Sequence, residues 1–238
     1  MSTELVAIYV INVKQFTERR QLIESQLLKH KLNAEFILDW DKDELTTEII
    51  DQFFTENELT RGQMSCAIKH IIALQHIAKQ TQGYSLVLED DALFSDDFEQ
   101  GLSNALTESV NFPEAKVIFI GSGGNFYTPK SKRVKGQHLY IGNRGRFADS
   151  YIIDASTAQL RLDWIETHKV SQPIDNQFET IDKELGIQML WLEDPVVEQG
   201  SKAGLFDSSL EPAPPPWLQR IFFAWEKLKR KYIYQLWK

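Results

Sequence analysis

The sequence contains a single cysteine, Cys66, among its 238 residues. One thiol excludes an intramolecular disulfide framework and a zinc site built from several cysteines, and this usage is typical of a reducing compartment. The first residues lack the basic segment and apolar core of a secretory signal, and no apolar run approaches the roughly 18 residues of a membrane span. We therefore predict a cytoplasmic protein.

Positive charge is scarce over most of the chain, whose formal net charge is −8. Residues 217–238 nevertheless hold six Lys or Arg residues against one acid, a net +5, which leaves −13 for residues 1–216. An acidic body argues against binding to nucleic acid through a general basic field. The asymmetry indicates that the basic tail has a partner of its own.

Several catalytic signatures are missing. The five histidines show no HExxH pattern and no i,i+4 pair, so a zinc enzyme is not predicted. No GxxxxGK[ST] motif occurs, and no nucleophile elbow supports Ser-His-Asp chemistry. Residues 121–126 follow a predicted strand but lack the third glycine of a dinucleotide fingerprint, which favours a tight turn.

Apolar periodicity predicts strands that alternate with helices, without an internal repeat. This alternation is typical of an α/β fold with a mixed, mainly parallel sheet flanked by helices. The predicted strands span residues 5–13, 34–38, 84–88, 116–120, 140–141, 151–153 and 188–192, and the helices span 17–31, part of 41–58, 61–79, a segment after 97, 156–168 and 173–184.

The chain is predicted to divide into a globular domain (1–210), a stiff Pro-rich linker (211–216) and a tail (217–238). On a helical wheel the tail separates a basic face from an aromatic and apolar face, which is typical of a helix lying on an anionic membrane surface. The alternative is a helix packed on the acidic body or on a partner subunit. The basic face comprises Arg220, Lys227, Lys231 and Lys238, and the apolar face Leu218, Phe222, Trp225 and Leu236.

The apolar run that begins at Tyr84 ends abruptly in three carboxylates, Glu89, Asp90 and Asp91. Acids at this point mark the carboxyl end of a buried strand, which is the sheet edge where α/β proteins bind ligands. Three adjacent carboxylates repel one another unless a cation lies among them, and a hard divalent ion that also holds a phosphate is the simplest candidate. The alternative is a solvated acidic turn.

Three further residues have two possible roles each. Asp149 precedes a predicted strand, and Asp175 lies in the first turn of a predicted helix, where a carboxylate also stabilises the helix dipole. His70 lies among apolar neighbours on the helix that Thr60 and Gln63 are predicted to cap, and by itself indicates a packing residue.

Taken in order, several segments resemble glycosyltransferase family 25, the lipooligosaccharide galactosyltransferases of Gram-negative bacteria. The similarity covers roughly residues 5–200. The segments are Ile8–Asn12 with Thr17–Arg20, Leu59–Gly62 leading to Ser65–His70, Leu86–Asp91, Tyr151–Ala155 and Pro173–Asp175.

The resemblance implies a GT-A-type fold and a metal-dependent, inverting transfer of a hexose, galactose from UDP-galactose, to a lipooligosaccharide or lipopolysaccharide acceptor. A lipid-linked acceptor suits a peripheral protein on the inner face of the bacterial inner membrane. The implied residues are Asn12, Arg19 or Arg20, His70, Glu89 and Asp90 near the donor, Glu89 and Asp91 as ligands of Mn²⁺ or Mg²⁺, and Asp175, or else Asp149, as the catalytic base.

Two segments depart from the family pattern: residues 147–150, where small residues are usual, and 197–200, where a histidine is often found. These departures motivate an alternative, a non-catalytic member of the fold that binds a saccharide or a protein partner. A metal-dependent phosphoesterase would need more acids and histidines than the sequence offers.

Overall fold

The computed structural model describes residues 3–123 and 126–201, together with Trp225, Leu228, Lys229 and Tyr232. Nine strands follow one another along this part of the chain. They are β1 (Leu5–Ile11), β2 (Glu35–Ile37), β3 (Tyr84–Glu89), β4 (Ala92–Phe94), β5 (Lys116–Phe119), β6 (Leu139–Ile141), β7 (Ser150–Asp154), β8 (Gln188–Leu192) and β9 (Val197–Gln199).

Seven of the strands form one twisted layer in the order β2-β1-β3-β7-β5-β8-β6. Strands β1, β2, β3, β5 and β8 run parallel, whereas β7 and β6 run antiparallel to their neighbours. Strands β4 and β9 pair separately as an antiparallel ribbon. The predicted α/β class, with a mixed and mainly parallel sheet, is therefore confirmed.

Six helices cover the two faces of the sheet. One face packs against α3 (Arg61–Ile77), α5 (Ala155–His168) and α6 (Ile174–Leu185), and the opposite face packs against α1 (Thr17–Lys29) and α4 (Phe98–Glu108). The short α2 (Thr47–Phe53) borders the first layer through half-buried apolar side chains. Successive side chains of a strand point to opposite faces of the sheet. The inner strands therefore contribute apolar side chains to the packing on both faces.

Local chemistry sets the ends of these helices. Thr60 caps α3 as predicted: its hydroxyl accepts from the Gln63 backbone amide, and the Gln63 side chain accepts from the Thr60 amide. Asp154 caps α5 by accepting from the Thr157 amide. Gly186 ends α6 in the left-handed conformation, with φ of 68°.

Predicted strands and helices recur within one to three residues of the observed bounds, except that the ribbon of β4 and β9 was not predicted. Both of its strands are three residues long and lack a distinctive pattern. The linker at 211–216 and nearly all of the tail lie outside the described residues. None of the described helices is long and apolar enough to cross a membrane.

Candidate active site

A cleft opens at the carboxyl ends of β1 and β3, beside the first turns of α3. This is the sheet edge predicted from the acidic residues. The lining residues are Ile11, Asn12, Val13, Gln15, Phe16, Arg19, Lys42, Gly62, Ser65, Cys66, Lys69, Glu89 and Asp90.

Asp90 is buried at the back of this cleft and is held by three groups. Its carboxylate accepts from Asn12 Nδ2 at 2.8 Å, from the Val13 amide at 3.4 Å and from Arg19 at 3.1 Å. Arg20 instead bonds to Glu24 and stacks on Phe36, away from the cleft. Of the two arginines, Arg19 is therefore the one that faces the predicted donor site.

Glu89 occupies the last position of β3 and faces α3. Its carboxylate lies 3.7 Å from His70 Nε2, and its backbone amide donates to the Asp149 carbonyl at 2.9 Å. Burial, with Asp91 and Asp90 nearby, raises the pKa of Glu89 to about 8, partly offset by Arg19 and a hydrogen bond from Gln199. In the absence of a cation, the Glu89 carboxyl therefore holds a proton at neutral pH, and a bound cation would replace that proton.

Asp91 contacts the segment that follows β9. Its carbonyl accepts from the Gly200 amide at 2.7 Å and its Oδ2 from the Ser201 amide at 3.0 Å, while Oδ1 is buried without a hydrogen-bond partner. The contacts with the Gly200 and Ser201 amides could not be predicted from the sequence, because every residue except proline carries such an amide. Residues 197–200, which depart from the family pattern, are the ones that bring these amides to Asp91.

Asp149 is fully buried immediately before β7, and its Oδ1 also lacks a hydrogen-bond partner. Burial raises its pKa well above the usual range, with further contributions from Glu89, Asp175 and Asp91. The carboxylate packs directly on Gly121, where a Cβ would lie 2.6 Å from Asp149 Oδ2. Gly121, the first residue of the predicted tight turn, therefore contacts the acidic edge, while residues 124 and 125 of that turn lie outside the described residues.

Asp175 lies in the first turn of α6 and is partly exposed. Its Oδ1 accepts from the Ala148 amide at 2.6 Å, which ties α6 to the segment before β7. Its charge acts on His70, Cys66 and Asp149. The structure thus brings Asp175 into the same electrostatic group as the acids at the end of β3.

His70 is fully buried on α3, as expected of a packing residue. Its ring stacks on Tyr151, and its Nδ1 lies 3.3 Å from the Tyr151 hydroxyl. Burial lowers the pKa of His70 to about 4. The charge of Asp175 raises this pKa, and nearby Arg161 lowers it. The imidazole is therefore neutral at neutral pH.

Three arginines of the 130–146 segment contact other residues of the globular domain. Arg133 pairs with Glu193, and Arg144 lies over the Phe126 ring at 4.3 Å. Arg146 is fully buried and donates to the Leu192 carbonyl at 2.6 Å. The partners of these three arginines come from other parts of the chain.

Comparison with known sequences identifies the family. The profile described as "Glycosyltransferase family 25 (LPS biosynthesis protein)" matches residues 6–178. The chain belongs to glycosyltransferase family 25. A family 25 resemblance was expected from the ordered segments, and the GT-A-type arrangement that it implies agrees with the mixed, mainly parallel sheet described above.

Individual relatives of this family 25 chain are distant. A protein of Acanthamoeba polyphaga mimivirus named as a glycosyltransferase is 31% identical over 178 residues, which is 67% of this chain and 53% of the relative. The chain therefore spans about half the length of that relative.

Two solved structures have a TM-score of 0.42 and 12% identity to the family 25 chain. One is a mutant Drosophila beta-1,4-galactosyltransferase 7 with manganese, UDP-Gal and xylobiose, over 90% of this chain and 80% of that one. The other is mouse xyloside xylosyltransferase 1 in its apo form, over 78% and 84%.

The donor set of this family 25 chain fits a hard divalent cation. Asp91 and Asp149 each have a buried carboxylate oxygen without a hydrogen-bond partner, and Glu89 has a carboxylate destabilised by its acidic neighbours. Oxygen ligands of this kind are those that Mg²⁺ and Mn²⁺ prefer. Burial and the neighbouring acids raise the pKa values of Glu89 and Asp149, and a bound cation would oppose both effects.

Proposed function

We propose that the protein is a metal-dependent, inverting glycosyltransferase that moves a hexose from a UDP-sugar onto a saccharide acceptor. The observation that carries the proposal is the electrostatic group of Glu89, Asp91, Asp149 and Asp175 beside the cleft that Glu89 lines. Clefts at this edge of an α/β sheet are where nucleotides bind. Membership of family 25 supports the transfer reaction over other nucleotide chemistry.

The cleft residues have defined tasks in this proposal. Asn12 and Arg19 fix Asp90, and the half-buried Arg19 guanidinium also supplies positive charge on the cleft wall. Glu89 and Asp91 would hold Mn²⁺ or Mg²⁺, which stabilises the negative charge that develops on the departing diphosphate. His70 supports Glu89 from beneath the site.

Inversion requires a base on the acceptor side of the sugar. Asp175 is partly exposed and therefore accessible to an acceptor hydroxyl, whereas Asp149 is fully buried. A base must come within hydrogen-bond reach of the proton that it removes. We assign the base to Asp175, and Asp149 remains the second choice.

The donor and acceptor are proposed as UDP-galactose and a lipooligosaccharide or other lipid-linked oligosaccharide. The support is the description of the matching family as LPS biosynthesis proteins and the basic, aromatic composition of residues 217–238. A tail of this type binds anionic membrane surfaces. It would hold the globular domain (1–210), through the linker (211–216), at the inner face of the inner membrane.

Calorimetry with UDP-galactose, UDP-glucose and UDP-N-acetylglucosamine, each with Mn²⁺ and with EDTA, tests this function. We expect binding of one donor that EDTA abolishes, followed by release of UDP when a saccharide acceptor is added. Absence of binding to all three donors would contradict the proposed function.

The alternative is a family member that binds a saccharide or a protein without catalysis. One observation favours this alternative: the backbone amide of Ser201 donates a hydrogen bond to Asp91 Oδ2, one of the two carboxylate oxygens that a metal would need. Metal-dependent donor binding without transfer to any saccharide acceptor would support this alternative.

A further inference from the structure

Cys66, His70 and Glu89 form a second group of potential metal ligands beside the aspartates. One ligand atom from each residue lies within 4.8 Å of the other two. Cys66 and His70 are four residues apart on α3 and therefore share a face of the helix. No other His, Cys, Asp or Glu cluster of this compactness occurs among the described residues.

His70 provides independent evidence for a ligand. Its Nε2 is buried, has no hydrogen-bond partner and lies 3.7 Å from Glu89 Oε1. Its other nitrogen is held by Tyr151, the arrangement by which proteins orient a metal-binding imidazole. Two ligands of a tetrahedral Zn²⁺ lie about 3.4 Å apart, so the observed gap needs little closure.

We infer that Cys66, His70 and Glu89 form a three-ligand site for Zn²⁺, with its fourth position open to the cleft. A Cys/His/carboxylate set is typical of zinc, whereas a thiolate is a poor ligand for Mg²⁺ or Mn²⁺. Cys66 and Glu89 both line the cleft, which gives the ion a route to the site. Binding displaces the thiol proton of Cys66 to solvent as the Zn–S bond forms.

Zinc and the hard cation compete for the same carboxylate. Glu89 belongs to this triad and also to the pair assigned to Mn²⁺ or Mg²⁺. Occupation by Zn²⁺ therefore withdraws Glu89 from the donor site and opposes binding of the UDP-sugar. This consequence rests on the proposed function, but the zinc site itself does not.

The test measures metal binding to the reduced full chain without any nucleotide. Competition with a chromogenic chelator gives the Zn²⁺ affinity, and Co²⁺ substitution reports thiolate ligation through its charge-transfer absorption. We expect one bound equivalent and a thiolate band. In Cys66→Ser and His70→Gln the affinity should fall about tenfold or more, and Cys66→Ser should lose the band.

His76→Gln is the matched control, because His76 lies on the same helix but pairs with Glu35 at the surface. It should bind Zn²⁺ as the wild type does. Absence of Zn²⁺ binding, absence of the thiolate band, or wild-type affinity in Cys66→Ser would overturn the site. Cys66→Ser, a small change at a half-buried position, keeps the test decisive if His70→Gln does not fold.

A second measurement separates this inference from the proposed function. Zn²⁺ should weaken the Mn²⁺-dependent binding of the UDP-sugar in the wild type, and less so in Cys66→Ser. A thiolate band without any donor binding would sustain the zinc site and contradict the transferase proposal. Donor binding without the thiolate band would sustain the transferase proposal and contradict the zinc site.

Discussion

At the scale of single residues, Asp91 is the carboxylate whose removal should weaken metal binding and leave the fold intact. Of its two carboxylate oxygens, Oδ2 accepts from the Ser201 amide, while Oδ1 is buried without a hydrogen-bond partner. We expect Asp91→Ala to abolish the Mn²⁺ dependence of donor binding and to leave the circular dichroism spectrum unchanged. Calorimetry with UDP in the presence of Mn²⁺ measures this effect.

Asp96→Asn serves as the control for Asp91→Ala, since Asp96 is fully exposed and makes only a long ion pair with Lys29. It should bind UDP and Mn²⁺ as the wild type does. Unchanged UDP affinity in Asp91→Ala would show that Asp91 is not a metal ligand.

Glu89 makes the stability of the metal-free protein depend on pH. Its folded pKa of about 8 lies above the usual value of 4.5, so the folded state binds the proton more tightly than the unfolded state. The associated stability is complete below pH 4.5 and is lost as the pH rises through 8. Glu89→Gln should remove this loss, so its free energy of unfolding should exceed that of the wild type at pH 8.

Urea denaturation of both proteins in EDTA at pH 5 and pH 8 measures the difference. Addition of a divalent cation should restore the stability of the wild type at pH 8 and should stabilise Glu89→Gln less. Equal pH profiles for the two proteins would refute the assignment of this titration to Glu89.

At the scale of elements, Gly123 after β5 closely approaches the segment before β7, which carries Asp149. A Cβ on Gly123 would lie 2.1 Å from the Arg146 carbonyl oxygen, and this backbone atom cannot move independently. We expect Gly123→Ala to lower the melting temperature and to weaken donor binding together, because displacing residue 146 shifts Asp149 three residues later. Differential scanning fluorimetry and calorimetry on the same sample test this coupling.

Gly136→Ala is the comparison for Gly123→Ala. No atom lies within 4 Å of the added Cβ, but the positive φ of 84° imposes a local strain of about 1 kcal/mol. This variant should therefore lose a little stability and retain donor binding. Normal donor affinity in Gly123→Ala would indicate that the turn does not position the acids.

Helices α5 and α6, the second of which carries Asp175, are joined by a buried ion pair. Arg161 donates to both carboxylate oxygens of Asp182, at 2.9 and 2.6 Å, and both side chains are buried. Removing one partner leaves a buried charge, so Asp182→Ala should cost about 3–5 kcal/mol of unfolding free energy. Asp163→Ala, at an exposed position of α5, should have a small effect in the same urea titration.

The sequence predicted the sheet and most helices because their signals are local. The capping residues Thr60 and Gln63 and the apolar run before Glu89 define their elements without reference to the rest of the chain. The ribbon of β4 and β9 has no such signal, because two three-residue strands are stabilised only by each other. Orientation also escaped prediction: Arg19 and Arg20 are adjacent, and only the packing shows which one reaches Asp90.

At the scale of the whole molecule, charge is divided between an acidic body and a basic tail. Deleting residues 217–238 should reduce binding to vesicles that contain anionic lipid and should leave donor binding unchanged, because the described lining of the cleft lies within residues 11–90. Co-sedimentation at low and high salt measures the first effect. Vesicle binding that survives the deletion would refute a membrane role for the tail, and loss of folding would indicate that it packs on the body.

The hydrogen bonds of Asp91 to residues 200 and 201 constrain the order in which the protein becomes functional during synthesis. Asn12 and Asp90 are translated early, yet the amides that fix Asp91 emerge more than a hundred residues later. Until then the acids at the end of β3 remain hydrated and without this support. A nascent chain can therefore build the first half of the sheet, but it completes the acidic edge only after the segment beyond β9 has left the ribosome.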